Sequence, residues 1–128
     1  MRALLDTHAF LWWLFNDPRL SLAAHDLIRR PDHEILVSAA SVWEIATKYR
    51  LGKLPEAEEV ASDIPGWIER ARFLPLSVTP AHAALAGEWR SDHRDPFDRM
   101  LAAQAQIEDI PLISCDPALK NFEIDCHW

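Results

Sequence analysis

Short apolar runs at residues 2–5, 34–38, 74–78, 111–115 and 122–126 divide this chain, and helix-like stretches fill the intervals. Runs of that length, bounded by polar or turn-forming residues, read as buried strands rather than helices. After the first run, residues 7–15 are helical and apolar nearly all round, and Ser21 caps a second helix to about Arg30, closed by Pro31. Residues 39–51 set Val42, Trp43, Ile45, Ala46 and Tyr49 at helical spacing, with Gly52 as the stop. Residues 56–72 form one or two more helices, with Pro65 as the break. Pro75 confines the third strand to a sheet edge or places the proline at the strand's start. Thr79-Pro80 opens a helix to about Trp89, Asp95-Pro96 opens the most regular one to about Ile107, and Asp116-Pro117 starts a short turn. Strands alternating with helices in this way predict an α/β fold in layers around a mainly parallel sheet.

Bulk properties narrow the function classes. A chain of 128 residues supports one domain, residues 1–128, with a proper core. The net charge of −7 and pI near 5.2 argue against a DNA-reading module, which carries a basic footprint. A local acidic site neutralised by divalent cations is compatible with the same balance. Cys115 and Cys126 lack disulfide-framework or zinc spacing and read as reduced core thiols. The apolar run at 9–15 is too short to span a bilayer and has no cleavage site behind it, so the expectation is a soluble cytoplasmic protein with no membrane contact. Trp12 and Trp13 are adjacent and cannot both face one core from a helix, so one of them meets a second element or a partner chain.

The acids fall where such a fold places ligands, outside the carboxyl ends of its strands. Asp6 closes the first strand and Asp116 the fourth. Asp98 lies in the first turn of the helix before that fourth strand, and helix N-termini share the rim because the helices run antiparallel to the strands. Glu44 sits between one and two turns into the helix after the second strand, and helical side chains lean back toward the N-terminus. Gathered carboxylates repel one another and either rise in pKa or bind a cation. Ligation by oxygen alone favours Mg²⁺ or Mn²⁺ over zinc. Each acid also has an ordinary structural role open to it. Asp98 stands three residues after Asp95, near capping-box spacing, Asp116-Pro117 is an N-cap pair, and Glu44 with Lys48 is an (i, i+4) ion pair. Asp6 has no evident capping role unless the next helix starts at once.

The segments Leu4-Leu5-Asp6-Thr7-His8, Ser41-Val42-Trp43-Glu44-Ile45-Ala46, residues 94–105 and Ile113-Ser114-Cys115-Asp116 resemble, in order, the successive motifs of PIN-domain ribonucleases, above all the VapC-type toxins of bacterial toxin–antitoxin pairs. The stretch from Asp95 to Ala105 is the most specific part, and the likeness runs over nearly the whole chain. The resemblance implies a three-layer α/β/α fold and RNA cleavage with Mg²⁺ or Mn²⁺ held by Asp6, Glu44, Asp98 and Asp116. It also implies a homodimer and a cognate antitoxin that covers the site. Thr7, Ser41 and Ser114 match hydroxyl positions that support the acids, Ser114 standing where many members have threonine. Asp95 matches as a supporting residue with a cap role of its own.

Lys48, Arg94 and Arg99 flank the acids as contacts for RNA phosphates, or as partners that hold the cluster in place. Among the histidines, His8 and His93 lie nearest the acids but lack ligand spacing and read as surface or supporting groups. Two rivals share the strand-end aspartate. A phosphatase of the haloacid-dehalogenase type needs a second aspartate two residues on, where this chain has His8, and Lys120 fits poorly as the late lysine of a receiver domain. A non-catalytic module that binds RNA or protein through the helix of Trp12 and Trp13 is the second rival, and the full set of four acids speaks against it.

Overall fold

The computed structural model describes residues 1–90 and 92–128. Its first half runs β1 (Arg2–Leu5), α1 (Thr7–Phe15), α2 (Leu22–Arg29), β2 (Glu34–Ser38) and α3 (Ala39–Arg50). A 3₁₀ turn (Pro55–Ala57), α4 (Glu58–Ser62), α5 (Ile64–Arg70), β3 (Leu74–Leu76) and α6 (Pro80–Glu88) follow. The chain closes with α7 (Pro96–Glu108), β4 (Leu112–Ile113), a second 3₁₀ turn (Pro117–Asn121) and β5 (Cys126–His127). The five strands form one parallel sheet in the order β3-β2-β1-β4-β5, with Leu4 paired to Leu36 on one side and to Leu112 on the other.

Alternation along the strands divides the core between the two faces of the sheet. Ala3 and Leu5 pack with Phe10 of α1, Ala24 and Ile28 of α2, and Ile64 and Ile68 of α5. Leu4 and Leu36 point the other way, onto Leu101, Ala102 and Ala105 of α7. Helices therefore cover both faces, as the three-layer expectation requires, and β1 sits at the centre with Ala3, Leu4 and Leu5 fully buried. Phe10, also fully buried, contributes about 2–3 kcal/mol by removing its ring from water.

Three expectations change in detail. The fifth strand lies at Cys126–His127 rather than 122–126. Phe122 instead enters the core beneath the second 3₁₀ turn, and pairing with β4 begins only at Cys126. The break in residues 56–72 falls at Asp63, which ends α4 and accepts the Gly66 N–H as the cap of α5. Pro65 sits in the first turn of α5, where its missing N–H has no helical partner to lose. Both cysteines are free, as expected, but Cys115 is exposed rather than in the core, and Cys126 packs against the core only partly buried. Pro75 does occupy an edge strand, and Gly52 adopts φ +76° just past α3, where a left-handed residue ends a helix at little cost. Trp12 and Trp13 both find partners within the chain. Trp13 packs near His25 and Phe73, while Trp12 meets Trp128 edge-on at 5.7 Å and carries the Arg19 guanidinium at 4.9 Å.

Candidate metal centre

The rim at the carboxyl ends of the strands holds a cleft of about 170 Å³ lined by Asp6, Thr7, His8, Glu44, Lys48, Asp95, Asp98, Cys115 and Asp116. It is not the largest cavity. An apolar groove of about 560 Å³ runs beside β3 between α3 and α5, and none of the four acids lines it. The acidic cleft is the candidate site because its charged side chains come from distant parts of the chain and disturb one another.

Asp6 leaves β1 with extended backbone and begins α1 at once, so it does have a cap role: Ala9 N–H donates to its Oδ1 at 2.7 Å. The carboxyl is pushed above the ordinary aspartate range by burial, which outweighs hydrogen bonds from Ser114 and Ala9 and the nearby His8, while the Glu44 charge pushes the same way. Glu44 is 3% exposed, yet its oxygens are both engaged. Thr7 Oγ1 lies 2.5 Å from Oε1 and 2.9 Å from Ser41 Oγ, and Lys48 Nζ donates to Oε2. Burial opposes the charge on Lys48, but its hydrogen bond and ion pair with Glu44, with help from Asp95 and Asp98, hold its pKa above the usual value.

The opposite wall is built from α7 and the turn after β4. Asp95 caps α7, accepting from Phe97 N–H at 2.9 Å and Asp98 N–H at 3.3 Å. That leaves the Asp98 carboxylate to face His93, whose Nε2 lies 3.0 Å from Oδ2. Its pKa rises to about 6, chiefly through burial and then the Asp95 charge, against the His93 hydrogen bond and with further repulsion from Glu44 and Asp116. Asp116 caps the second 3₁₀ turn through Ala118 N–H at 2.9 Å, and its own N–H donates to Ser114 Oγ at 3.1 Å. One ligand-type atom from each of His93, Asp98 and Asp116 lies within 4.8 Å of the others. Burial, followed by the Asp6 and Asp116 charges, raises the Cys115 thiol, so it stays neutral at the edge of the cleft.

The PIN domain family matches residues 3–124 of this chain. The chain belongs to that family. Ribonuclease VapC22 of Mycobacterium tuberculosis (strain ATCC 25618 / H37Rv) is 32% identical over 123 residues, 92% of this chain and 89% of the relative. Ribonuclease VapC16 of the same strain is 46% identical over 71 residues, which span 52% of this chain and only 50% of the relative's length. Among solved structures, VapBC2 from Rickettsia felis, bound to a DNA fragment from its promoter, superposes with a TM-score of 0.71 over 99% of this chain and 98% of that one. At 16% identity that likeness concerns the fold alone.

Within this PIN domain the flanking cations have separate surroundings. Lys48 is joined to Glu44, the second of the two roles open to it from sequence. Arg99, expected at RNA phosphates or beside the acids, instead directs its guanidinium to three backbone carbonyls: Ala86 at 2.8 Å, His93 at 2.9 Å and Trp89 at 2.6 Å. It ties the end of α6 and the following segment to α7. Arg94 is exposed. His93, one of the two histidines that the sequence sets nearest the acids, has in Asp98 a partner that its spacing does not signal. Its only pointer is a position five residues before Asp98, in a connection without periodicity.

Proposed function

We propose that this chain is a divalent-metal-dependent endoribonuclease, the toxin of a toxin–antitoxin pair, working as one domain over residues 1–128 with Asp6, Glu44, Asp98 and Asp116 around the ion. The observation that carries the reading is the charge imbalance of the rim: its acids share the internal cation Lys48, yet Asp98 is still pushed to about 6. A divalent cation relieves that repulsion, and a donor set rich in carboxylate oxygen fits Mg²⁺ or Mn²⁺. The ribonuclease names of VapC16 and VapC22 support RNA as the substrate.

When bound, such an ion polarises a phosphodiester oxygen and lowers the pKa of a water. The chain's residues prepare the place for it. Thr7 and Lys48 engage the two oxygens of Glu44 and fix its direction, with Ser41 bonded to Thr7 behind them. Asp6, Asp98 and Asp116 present carboxylates from three separate capping turns, which set their positions through the backbone. Arg94, exposed beside this wall, meets an RNA phosphate. A homodimer and a covering antitoxin complete the proposal. Among the described residues no helix is long and apolar enough to cross a membrane.

Purified chain freed of bound protein partners should cut structured RNA with Mg²⁺ or Mn²⁺ and lose that activity in chelator. Asp6→Asn and Asp98→Asn should each reduce the rate by about 10²-fold or more, the scale at which a preorganised charge in an active site acts. Full cleavage by either variant, or in excess chelator, would falsify the reading.

A further inference from the structure

We infer that His93 donates its imidazole nitrogen to the same cation site, so that the ion is held by a mixed nitrogen and oxygen set. This rests on the rim being a divalent-ion site, as proposed above. Ligands about 2.0–2.1 Å from one small ion stand roughly 3–4 Å apart. His93 Nε2 is 3.0 Å from Asp98 Oδ2, and its ligand atom shares a 4.8 Å cluster with those of Asp98 and Asp116.

The imidazole is also held there by more than its contact with Asp98. Its side chain is 13% exposed. The ring meets Phe122 edge-on at 5.8 Å and 88°, and Phe122 packs on Trp89 at 4.6 Å. Its carbonyl accepts from Arg99 Nη1, the same guanidinium that binds the carbonyls of Ala86 and Trp89. Backbone and ring are thus positioned by α6, α7 and the second 3₁₀ turn together. A donor held in this way needs little reordering to take an ion.

Imidazole changes which ions the site favours. Carboxylate oxygens suit Mg²⁺ and Mn²⁺, whereas a nitrogen ligand moves preference along the series toward Co²⁺ and Ni²⁺. His93 therefore raises affinity for Co²⁺ relative to Mg²⁺ and makes this centre less selective for hard ions than an all-carboxylate one.

Pulsed EPR of the full chain loaded with Mn²⁺, and calorimetric titration with Co²⁺ and Mg²⁺ separately, test this without reference to RNA cleavage. The wild-type spectrum should carry a ¹⁴N coupling that disappears in His93→Gln. Co²⁺ affinity should fall about tenfold or more in that variant, at least the loss typical of disturbing a ligand's surroundings, with a smaller change for Mg²⁺. His93→Asp restores a donor of the oxygen class and should narrow the Co²⁺-to-Mg²⁺ ratio, with circular dichroism confirming that both variants fold. A wild-type spectrum without nitrogen coupling, or unchanged Co²⁺ affinity in folded His93→Gln, would overturn the inference and leave His93 only a hydrogen-bond partner of Asp98. Ion-dependent RNA cleavage without nitrogen coupling removes the His93 claim alone, whereas a chain that binds no divalent ion removes the metal-site reading with it.

Discussion

The two walls of the cleft treat a buried carboxylate in opposite ways. On α3, Glu44 is almost wholly out of water, and a hydroxyl and an ammonium occupy its two oxygens. On α7, Asp98 keeps 21% of its side chain exposed, yet burial and then repulsion from Asp95 push its pKa to about 6. Depth does not explain the difference, because the deeper acid is the one with the built-in cation. Compensation does: burial of a charge is tolerable when a partner and hydrogen bonds are supplied, and unfavourable when like charges gather instead. The α3 wall is therefore a finished support, and the α7 wall is where an added cation gains most.

Removing the compensation should make the first wall resemble the second. Lys48→Met strands Glu44 without its ammonium and is expected to destabilise the metal-free chain by about 2 kcal/mol, below the ~3–5 kcal/mol of a fully buried broken pair because Lys48 retains 30% exposure. Urea unfolding measures this directly. Glu44→Gln in the Lys48→Met background should recover more than half of the loss, since no lone charge then remains. An undiminished midpoint in Lys48→Met would mean that water, not Lys48, balances Glu44, and the contrast between the walls would collapse.

The reverse experiment relieves the second wall. Asp98 titrates near 6 in the folded chain against an ordinary value of 3.8. Between these values the folded state holds a proton that the unfolded state has released, so stability falls as pH rises through the window and stays lowered above it. Asp98→Asn removes that slope. In chelator the variant should exceed wild type by on the order of 1 kcal/mol at pH 8, after discounting for solvent screening of a part-exposed group, and the difference should vanish near pH 4. Added Mg²⁺ should stabilise wild type at pH 8 and do little for the variant. A pH-independent difference between the two would show that Asp98 is not held against its charge.

The two walls were unequally legible in the sequence. Glu44 and Lys48 are four residues apart on one helix, and helical geometry alone pairs them. Asp6 and Asp116 follow apolar runs, so period-two patterning and a parallel sheet bring them to one rim. The placement of His93 depends on where α6 ends, on Phe122 from the second 3₁₀ turn and on Arg99 reaching back to three carbonyls, contacts between segments that no local pattern encodes. The fifth strand begins later than its apolar run for a related reason: Phe122 serves the core from outside the sheet, and an apolar run cannot tell those uses apart. Asp6 differs again, since a helix that starts directly after a strand gives the acid a structural task the spacing only conditionally allowed.

The smallest effect separates two arginines that look alike in the sequence. Arg99 faces backbone carbonyls, whereas Arg94, next to the α7 cap Asp95, is exposed. If the α7 wall receives the RNA, Arg94→Ala should shift stability by less than about 0.5 kcal/mol, as surface changes do. It should nonetheless weaken RNA binding and reduce the salt slope, on a log–log scale, by about 0.7 to 1, the signature of one lost phosphate contact. Fluorescence anisotropy in chelator, where no strand is cut, at several salt concentrations reads that slope. An unchanged slope with unchanged affinity would place the RNA elsewhere on the rim, nearer α3, and the wall with the unbalanced acids would then bind its ion without guiding the substrate.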